Sequence, residues 1–237
     1  MFEGASLREG VNSSDSTRRI LIQGESGSGK TTLLRHVTSL WASGASEALS
    51  ERFKFVLYVD ASRGRGSSLL QTIAEQCVDA RGYVISEDDV FNLLKLYQRR
   101  ALLLIDGYEH IGKLDDDVID VMRRAMFREA CVVVTSLNSH VTKHVTRMFD
   151  ARFLVAGLQT SAVERFISHY AHVTHTPEAA VAALTNQIAG KDSNIVQLFA
   201  KNPTLCMMMG LVLEQEANSL DITTQNGKHS ISESISH

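Results

Sequence analysis

One eight-residue string constrains this chain more than any other feature: residues 24–31 read GESGSGKT. It matches G-x-x-x-x-G-K-[ST] at every required position, the pattern of a loop whose backbone N–H groups surround the phosphates of a nucleotide. In this pattern Lys30 places a cation on the outer phosphates, and Thr31 offers a hydroxyl to Mg²⁺. The residues expected to cradle the phosphates are Gly24, Glu25, Ser26, Gly27, Ser28 and Gly29.

The sequence on either side of the loop supports a nucleotide site. Residues 19–23 form a short apolar run typical of a buried parallel strand, and residues 30–37 carry apolar side chains at helical spacing. A strand, a loop and a helix in that order place the phosphates at a helix N-terminus, where free N–H groups and the helix dipole favour anions. A glycine-rich turn without a ligand is the alternative, and it does not account for the flanking strand and helix.

Apolar strand segments and helical segments alternate along the first two thirds of the chain. Strands are predicted at 19–23, 53–59, 101–106, 131–136 and 151–155, a small-residue loop at 44–50, and helices at about 30–43, 67–80, 87–99 and 114–127. Ser86 is a candidate N-cap for the helix at 87–99. This alternation predicts an α/β fold of the P-loop NTPase type, with a parallel five-stranded sheet flanked by helices.

After Gly157 the pattern becomes purely helical, with helices predicted at about 160–172, 177–189, 193–200 and 204–215. We therefore predict a small all-helical subdomain after the sheet domain. The predicted divisions are an N-terminal lead-in (1–17), a nucleotide-binding domain (18–156), a helical subdomain (157–216) and a polar tail expected to be disordered (217–237).

Charge and composition narrow the possible partners. The net charge of −3 over 237 residues gives no basic field of the kind that binds nucleic acid, so no direct nucleic-acid binding is expected. The basic pairs Arg18-Arg19, Arg99-Arg100 and Arg123-Arg124 are interpreted as solvated ends of elements. Three scattered cysteines indicate reduced thiols, and no apolar run is long enough to span a bilayer, so we expect a cytoplasmic protein.

Acidic and hydroxyl side chains follow the central strands. The apolar strand 101–105 delivers Asp106 to the sheet edge where Mg²⁺ takes a further carboxylate through water, although a helix cap is an alternative. Glu109 could orient an attacking water or be a solvated loop acid. The hydroxyls of Thr135 and Ser136 could contact the terminal phosphate or belong to an ordinary turn. An N-K-x-D guanine signature is absent from the sequence, so ATP or ADP is the expected nucleotide.

The chain resembles the NACHT domains of the STAND class of signalling NTPases, which includes the NOD-like receptors of innate immunity. The resemblance covers residues 18–215 and follows, in order, the segments RILIQGESGSGKTTLLRHVTSLWASG, FKFVLYVDASR, ALLLIDGYEH, CVVVTSLN, FLVAGLQTSAVERFISHYA and NPTLCMMMGLVLEQ. The more specific features are Asp106-Gly107 followed by an acid, Trp41 closing the first helix, and Asn202-Pro203 opening a late helix.

This resemblance implies roles for individual residues. Lys30 would hold the β- and γ-phosphates, Thr32 would supply a backbone donor near the α-phosphate, and Pro203 would press on the adenine. Thr31 and Asp106 would form the metal site, and the implied catalytic residues are Lys30, Asp106 and Glu109. The resemblance also implies that the strand ending at Ser136 lies between those ending at Gln23 and Asp106.

Two positions depart from the family pattern. Leu137 stands where the family usually has an arginine, and His110 stands where it usually has a second acid. The expected function is therefore an ATP- or ADP-binding switch module of a NOD-like-receptor-type signalling protein, with nucleotide-dependent self-association and slow or absent hydrolysis. Signalling partners are expected to bind domains that this chain does not contain. An active AAA-like ATPase and a scaffold with a vestigial nucleotide site are the alternatives.

Overall fold

The computed structural model describes a large part of the chain: residues 18–64, 68–77, 85–113, 117–174 and 202–208, with single residues at 182, 186 and 211. The predicted lead-in (1–17), the polar tail (217–237) and the helix predicted at 193–200 lie outside the described residues. Nearly all of the helix predicted at 177–189 lies outside them as well.

Five strands form one sheet. They are β1 (Arg19–Gly24), β2 (Phe55–Asp60), β3 (Ala101–Asp106), β4 (Cys131–Leu137) and β5 (Ala151–Val155), in the order β2-β3-β4-β1-β5. The β2–β3 and β3–β4 pairs are parallel, with Asp60 opposite Asp106 and Ile105 opposite Val134. The position of β4 between β1 and β3 confirms the predicted strand order, and the predicted fold class is confirmed.

The helices of the described residues follow the strands along the chain. They are α1 (Lys30–Ala42), α2 (Glu47–Arg52), α3 (Leu69–Cys77), α4 (Glu87–Tyr97), α5 (Asp117–Met122), α6 (Lys143–Thr146), α7 (Thr160–Thr174) and α8 (203–208). Short 3₁₀ turns occupy Ala61–Arg63, Gln98–Arg100, Tyr108–Lys113 and Asn138–His140. The predicted cap of α4 is confirmed, because Ser86 and Asp89 exchange hydrogen bonds in a capping box.

The hydrophobic core is centred on β3 and β4. All six residues of β3 and the first six of β4 are buried, as expected for parallel strands covered on both faces. Ile73 of α3, Leu94 of α4 and Val118 of α5 are fully buried members of the same core cluster. The unbroken apolar runs of the sequence therefore correspond to the central strands.

Two predicted elements differ from the structure. The loop predicted at 44–50 contains the start of α2, because the side chain of Ser46 accepts a hydrogen bond from the N–H of Leu49 and caps this short helix. The helix predicted at 114–127 ends at Met122. Beyond it, Arg124 and Phe127 have φ angles of 63° and 44°, which a helix cannot accommodate.

Arg19, predicted to be a solvated strand end, is instead completely buried. Its guanidinium donates to the carbonyl oxygens of Val121, Phe127 and Ala130. Val121 lies in the last turn of α5, and Phe127 and Ala130 lie in the turn that replaces the end of the predicted helix. The prediction was wrong because the partners of Arg19 are about a hundred residues away and leave no local signal in the sequence.

Burial lowers the pKa of Arg19 to about 10, and the nearby charge of Arg124 acts in the same direction. The charge of Asp150 acts in the opposite direction. Asp150 also accepts a hydrogen bond from the backbone N–H of Arg19 at 2.7 Å and pairs with Arg124 at 2.6 Å. The buried cation therefore has a polar shell, as a buried charge requires.

The chain divides into two compact units. The first comprises the residues up to Gln23 together with Thr31–Leu154, and the second comprises Gly24–Lys30 together with the residues from Val155 onwards. The phosphate-binding loop thus groups with the helical segment. The predicted boundary near residue 156 stays a prediction. None of the described helices combines the length and apolar composition needed to cross a membrane.

We expect Arg19→Met to lower the free energy of unfolding by about 3 kcal/mol or more, because methionine fills the space but removes the buried guanidinium hydrogen bonds to three carbonyl oxygens. Arg123→Met, at an exposed position in the same turn, should change it by less than about 0.5 kcal/mol. Urea denaturation of both variants measures the difference. Equal stabilities of the two variants would show that Arg19 has no structural role.

Candidate nucleotide site

The loop between β1 and α1 closes around its own lysine. The Nζ atom of Lys30 donates to the carbonyl oxygens of Gly24 at 2.9 Å and Glu25 at 2.8 Å. Gly27 and Gly29 have φ angles of 73° and 97°, in the region that glycine adopts without strain. The loop thus has the backbone conformation and the cation that its sequence predicts.

Ser28 places a buried hydroxyl at the base of the loop. Its side-chain oxygen is buried and has no hydrogen-bond partner, the one such atom in the described part of the chain. An added Cβ at Gly24 would lie only 2.6 Å from this oxygen, so the backbone and the side chain already fill the base of the loop. A buried hydroxyl donor beside a cation and backbone N–H groups fits an anionic phosphate.

Residues from the start of α8 are bonded directly to the loop. The side-chain amide of Asn202 donates to the carbonyl oxygen of Ser26 at 2.7 Å, and the hydroxyl of Thr204 donates to that of Gly27 at 3.1 Å. The Oδ1 atom of Asn202 also accepts from the backbone N–H groups of Thr204 and Leu205, which makes it the N-cap of α8. One side chain therefore caps a helix and holds the loop.

This contact explains the glycine at position 27. An added Cβ there would lie 2.7 Å from Oδ1 of Asn202 and 3.0 Å from the Thr204 side chain, in addition to the strain of a positive φ. The sequence prediction assigned a nucleotide contact in this segment to Pro203 alone and named Asn202 only as part of the pair that opens the helix. Pro203 is the first residue of α8 and is half-buried. An asparagine before a proline that opens a helix is an N-cap signal that could have identified Asn202.

Asp106 ends β3 as a buried carboxylate with both oxygens engaged. The hydroxyl of Thr135 on β4 donates to Oδ1 at 2.5 Å, and the hydroxyl of Tyr58 on β2 donates to Oδ2 at 3.0 Å. The oxygen of Thr135 in turn accepts from the backbone N–H of Gly107 at 2.9 Å. The neighbouring strands thus fix the carboxylate at the sheet edge, which is not the arrangement of a helix cap.

Tyr58 and Arg35 are members of this cluster that the sequence reading missed. Burial raises the pKa of Tyr58 to about 12. The charge of Asp106 also raises this pKa, whereas a hydrogen bond with Arg35 lowers it. The guanidinium carbon of Arg35 lies 5.8 Å from the centre of the Tyr58 ring. The hydrogen bond with Tyr58 raises the pKa of Arg35 above its usual value. A positive charge therefore stands near Asp106 without contacting it directly.

Glu109 is half-buried in the 3₁₀ turn after β3, and its Oε2 atom accepts from the backbone N–H of Leu137 at 3.3 Å. This bond holds the carboxylate beside the end of β4. The turn is tight, because Gly107 has a φ of 92° and an added Cβ there would approach the His110 ring at 3.2 Å. The structure therefore gives Glu109 a fixed position.

The described residues offer few side-chain ligands for a metal ion at any one place. Among them there is no group of three or more His, Cys, Asp and Glu side chains able to bind a metal ion. The hydroxyl-bearing side chains of Thr31 and Thr32 are exposed in the first turn of α1. A site built from Thr31 and Asp106 alone suits Mg²⁺, which keeps several of its waters when bound to proteins.

Comparison with known families identifies the family of this chain. The model of the family described as "NACHT domain" matches residues 18–174. The chain belongs to the NACHT domain family. A family of nucleotide-binding modules agrees with the loop, the buried Asp106 and the strand order.

Relatives of this NACHT domain include much longer proteins. The NLR family CARD domain-containing protein 4 of Bos taurus is 33% identical over 142 residues, which is 60% of this chain and 14% of that protein. The protein of the same name from Xenopus tropicalis is 26% identical over 207 residues, 86% of this chain and 20% of that protein. Baculoviral IAP repeat-containing protein 1 of Homo sapiens is 31% identical over 114 residues, 48% and 8% of the two chains.

Solved structures resemble the NACHT domain more distantly. The Drosophila ORC bound to DNA has a TM-score of 0.47 at 16% identity, covering 83% of this chain and 56% of that one. The C. elegans PCH-2 structure has a TM-score of 0.46 at 14% identity, covering 84% and 60%.

Replacing Thr135 tests the cluster around Asp106. Thr135→Val removes the hydroxyl and leaves Oδ1 of Asp106 and the N–H of Gly107 unpaired in a buried site, which should cost about 2–4 kcal/mol of unfolding free energy. Thr135→Ser keeps the oxygen and should cost about 1 kcal/mol. Denaturant titration of both variants separates the two effects. A serine variant as unstable as the valine variant would mean that the methyl group, not the hydroxyl, matters.

Proposed function

We propose that this NACHT domain is an adenine-nucleotide switch module, which binds ATP or ADP with Mg²⁺ and changes its self-association with the bound nucleotide. The observation that carries the proposal is the attachment of α8 to the loop through Asn202 and Thr204. A loop that only had to hold phosphates would not need a helix bonded to its carbonyl groups.

The peptide geometry gives a route from nucleotide to helix. In a trans peptide the C=O and the N–H point in opposite directions. Because α8 binds the carbonyls of Ser26 and Gly27, the N–H groups of Gly27 and Ser28 point away from it. The N–H of Ser28 donates to the carbonyl oxygen of Glu25 at 3.2 Å within the loop. Phosphates that reorient these peptides would therefore tilt the carbonyls to which α8 is bonded.

The remaining site residues have assigned roles in this proposal. Lys30 and the loop from Gly24 onwards hold the phosphates, Thr32 adds a backbone donor, and Pro203 packs on the adenine ring. Thr31 and Asp106 hold Mg²⁺, which would neutralise the charge of the outer phosphates. The fixed orientation of Asp106 between two hydroxyls supports a role towards a water of the metal.

We assign slow hydrolysis to Glu109, with Lys30 and Asp106 as its catalytic partners. A carboxylate held by the N–H of Leu137 could orient a water. A leucine at position 137 offers no cation for the charge that develops on the transferred phosphoryl group, and an arginine at such a place is worth several orders of magnitude in rate. A switch that turns over slowly agrees with this composition, and it fits the AAA-like motor alternative less well.

Partners and compartment complete the proposal. The chain spans 14% of the bovine relative and 8% of the human one. What we say of partners and of self-association is therefore a proposal for this chain. We propose that signalling partners bind parts outside this chain and that copies associate through this domain in a nucleotide-dependent way. The three cysteines are free thiols, which supports a reducing compartment such as the cytoplasm.

Lys30→Ala should weaken binding of ATP and of ADP by about 10- to 100-fold, because it removes charge-assisted hydrogen bonds to the phosphates. Lys143→Ala, at an exposed position of α6, is the matched control and should bind like the wild type. Isothermal titration calorimetry of both proteins, with and without Mg²⁺, measures the affinities. Unchanged affinity in the Lys30 variant would contradict a nucleotide site at this loop.

The switch itself is tested at Asn202. In the wild type, exchanging ADP for ATP should change the hydrogen-exchange protection of the backbone amides in residues 204–208. Asn202→Ala removes the bond to Ser26 and the helix cap, so we expect this nucleotide-dependent difference to disappear while calorimetry still detects binding. Equal protection with ATP and ADP in the wild type would leave a scaffold that binds nucleotide without responding to it.

A further inference from the structure

A cleft of about 870 Å³ opens at the sheet edge opposite Asp106. Its walls are the segments that come just before β2, before β3 and at the start of β4, so three stretches distant in sequence meet because parallel strands begin at one edge. The lining residues used below are Arg52, Arg99, Arg100, Arg128, Glu129 and Cys131. The proposed nucleotide function uses none of them.

The cleft is strongly basic. Four arginines line it together with a single carboxylate, Glu129, although the whole chain has a net charge of −3. All four arginines are exposed, so their charges face solvent and not the core. This local excess of positive charge identifies an anion as the fitting ligand.

The arginine charges act on groups inside the cleft. A hydrogen bond from Arg99 lowers the pKa of Glu129, and the charges of Arg99 and Arg128 lower it further. Burial raises the pKa of the Cys131 thiol, and the charge of Arg52 opposes this. Arg52 ends α2 and Arg128 lies in the turn before β4, so the two cations come from different walls of the cleft.

Two of the arginines already use part of their donors. Arg99 donates to Oε1 of Glu129 from Nε at 2.9 Å and from Nη2 at 2.7 Å, and Arg100 donates to the carbonyl of Glu51 at 3.0 Å. The guanidinium carbon of Arg52 lies 5.3 Å from the centre of the Phe53 ring. Neither Arg52 nor Arg128 pairs with a carboxylate of another described residue.

The walls of the cleft are held in place. The indole N–H of Trp41 donates to the carbonyl of Phe53 at 3.0 Å, and the N–H of Glu129 donates to the side chain of Gln98 at 3.1 Å. The N–H of Lys54 donates to the carbonyl of Arg100 at 2.8 Å. A preorganised wall costs less to order when a ligand binds.

We propose that this cleft binds a small anion carrying two or more phosphate groups, held between Arg52 and Arg128. A guanidinium presents a planar fork of donors that matches phosphate oxygens. Arginines on separate walls can each bind one anionic group of the same ligand. The volume lies within the range of small-molecule sites, which run from about 300 to 1,000 Å³. This binding is independent of the nucleotide loop.

Inorganic tripolyphosphate is the probe, because it could bind both the loop and the cleft. Calorimetric titration of the full chain should show two classes of site. Lys30→Ala should remove the loop class only. The double variant Arg52→Gln with Arg128→Gln should weaken the cleft class by about tenfold or more. The matched control, Arg123→Gln, replaces an exposed arginine that does not line the cleft, and it should bind like the wild type.

Several results would overturn the proposal. Loss of all tripolyphosphate binding in Lys30→Ala would mean that the loop is its sole site, and unchanged binding in the double variant would exclude the two arginines. Binding of a polyglutamate peptide that depends on Arg52 and Arg128, without tripolyphosphate binding, would assign the cleft to an acidic protein segment. Circular dichroism shows whether the double variant folds. If it does not, Arg128→Glu provides the same test, with Arg123→Glu as its control.

Discussion

The hydrogen bond from Thr135 to Asp106 is the interaction on which the functional edge of this NACHT domain depends. It joins the ends of β3 and β4, and the same hydroxyl oxygen accepts from the N–H of Gly107, so the chain turns sharply as it leaves the strand. That turn places Glu109 where the N–H of Leu137 binds its carboxylate. One hydroxyl therefore sets the position of both acids, and each of its hydrogen bonds is buried where an unpaired partner is costly.

At the opposite edge of the sheet, where the strands begin, a buried side chain also binds backbone groups. There the guanidinium of Arg19 donates to three carbonyl oxygens, one at the end of α5 and two in the following turn, which contains two residues at positive φ. A neutral side chain could not supply enough donors, and arginine has five. Desolvation of this cation is unfavourable, as its lowered pKa shows, and the carbonyl oxygens and Asp150 offset it. Buried polar side chains thus lie at both ends of the strands, and the centre of the sheet is apolar.

The sequence predicted those parts whose cause is local. The unbroken apolar runs of β3 and β4 were located because burial on both faces demands such a composition, and GESGSGKT specifies a loop conformation by its glycines. Arg19 was misread because its carbonyl partners are set by tertiary structure. Tyr58 was missed because its hydroxyl reaches Asp106 only through the register of parallel strands. The basic cleft was missed for a related reason, since Arg52, Arg99 and Arg128 are dispersed along the chain.

The start of α8 explains why its bonds to the loop matter. The first turn of a helix is costly to form, because nucleation fixes several residues before many hydrogen bonds form. Its N-terminal amides are capped by Asn202, and that same side chain is held by the carbonyl of Ser26. The order of α8 is therefore coupled to the conformation of the loop. Gly27 allows this coupling, since any larger residue would separate the loop from Asn202. A change in the conformation of the loop would therefore act directly on the residue that caps α8.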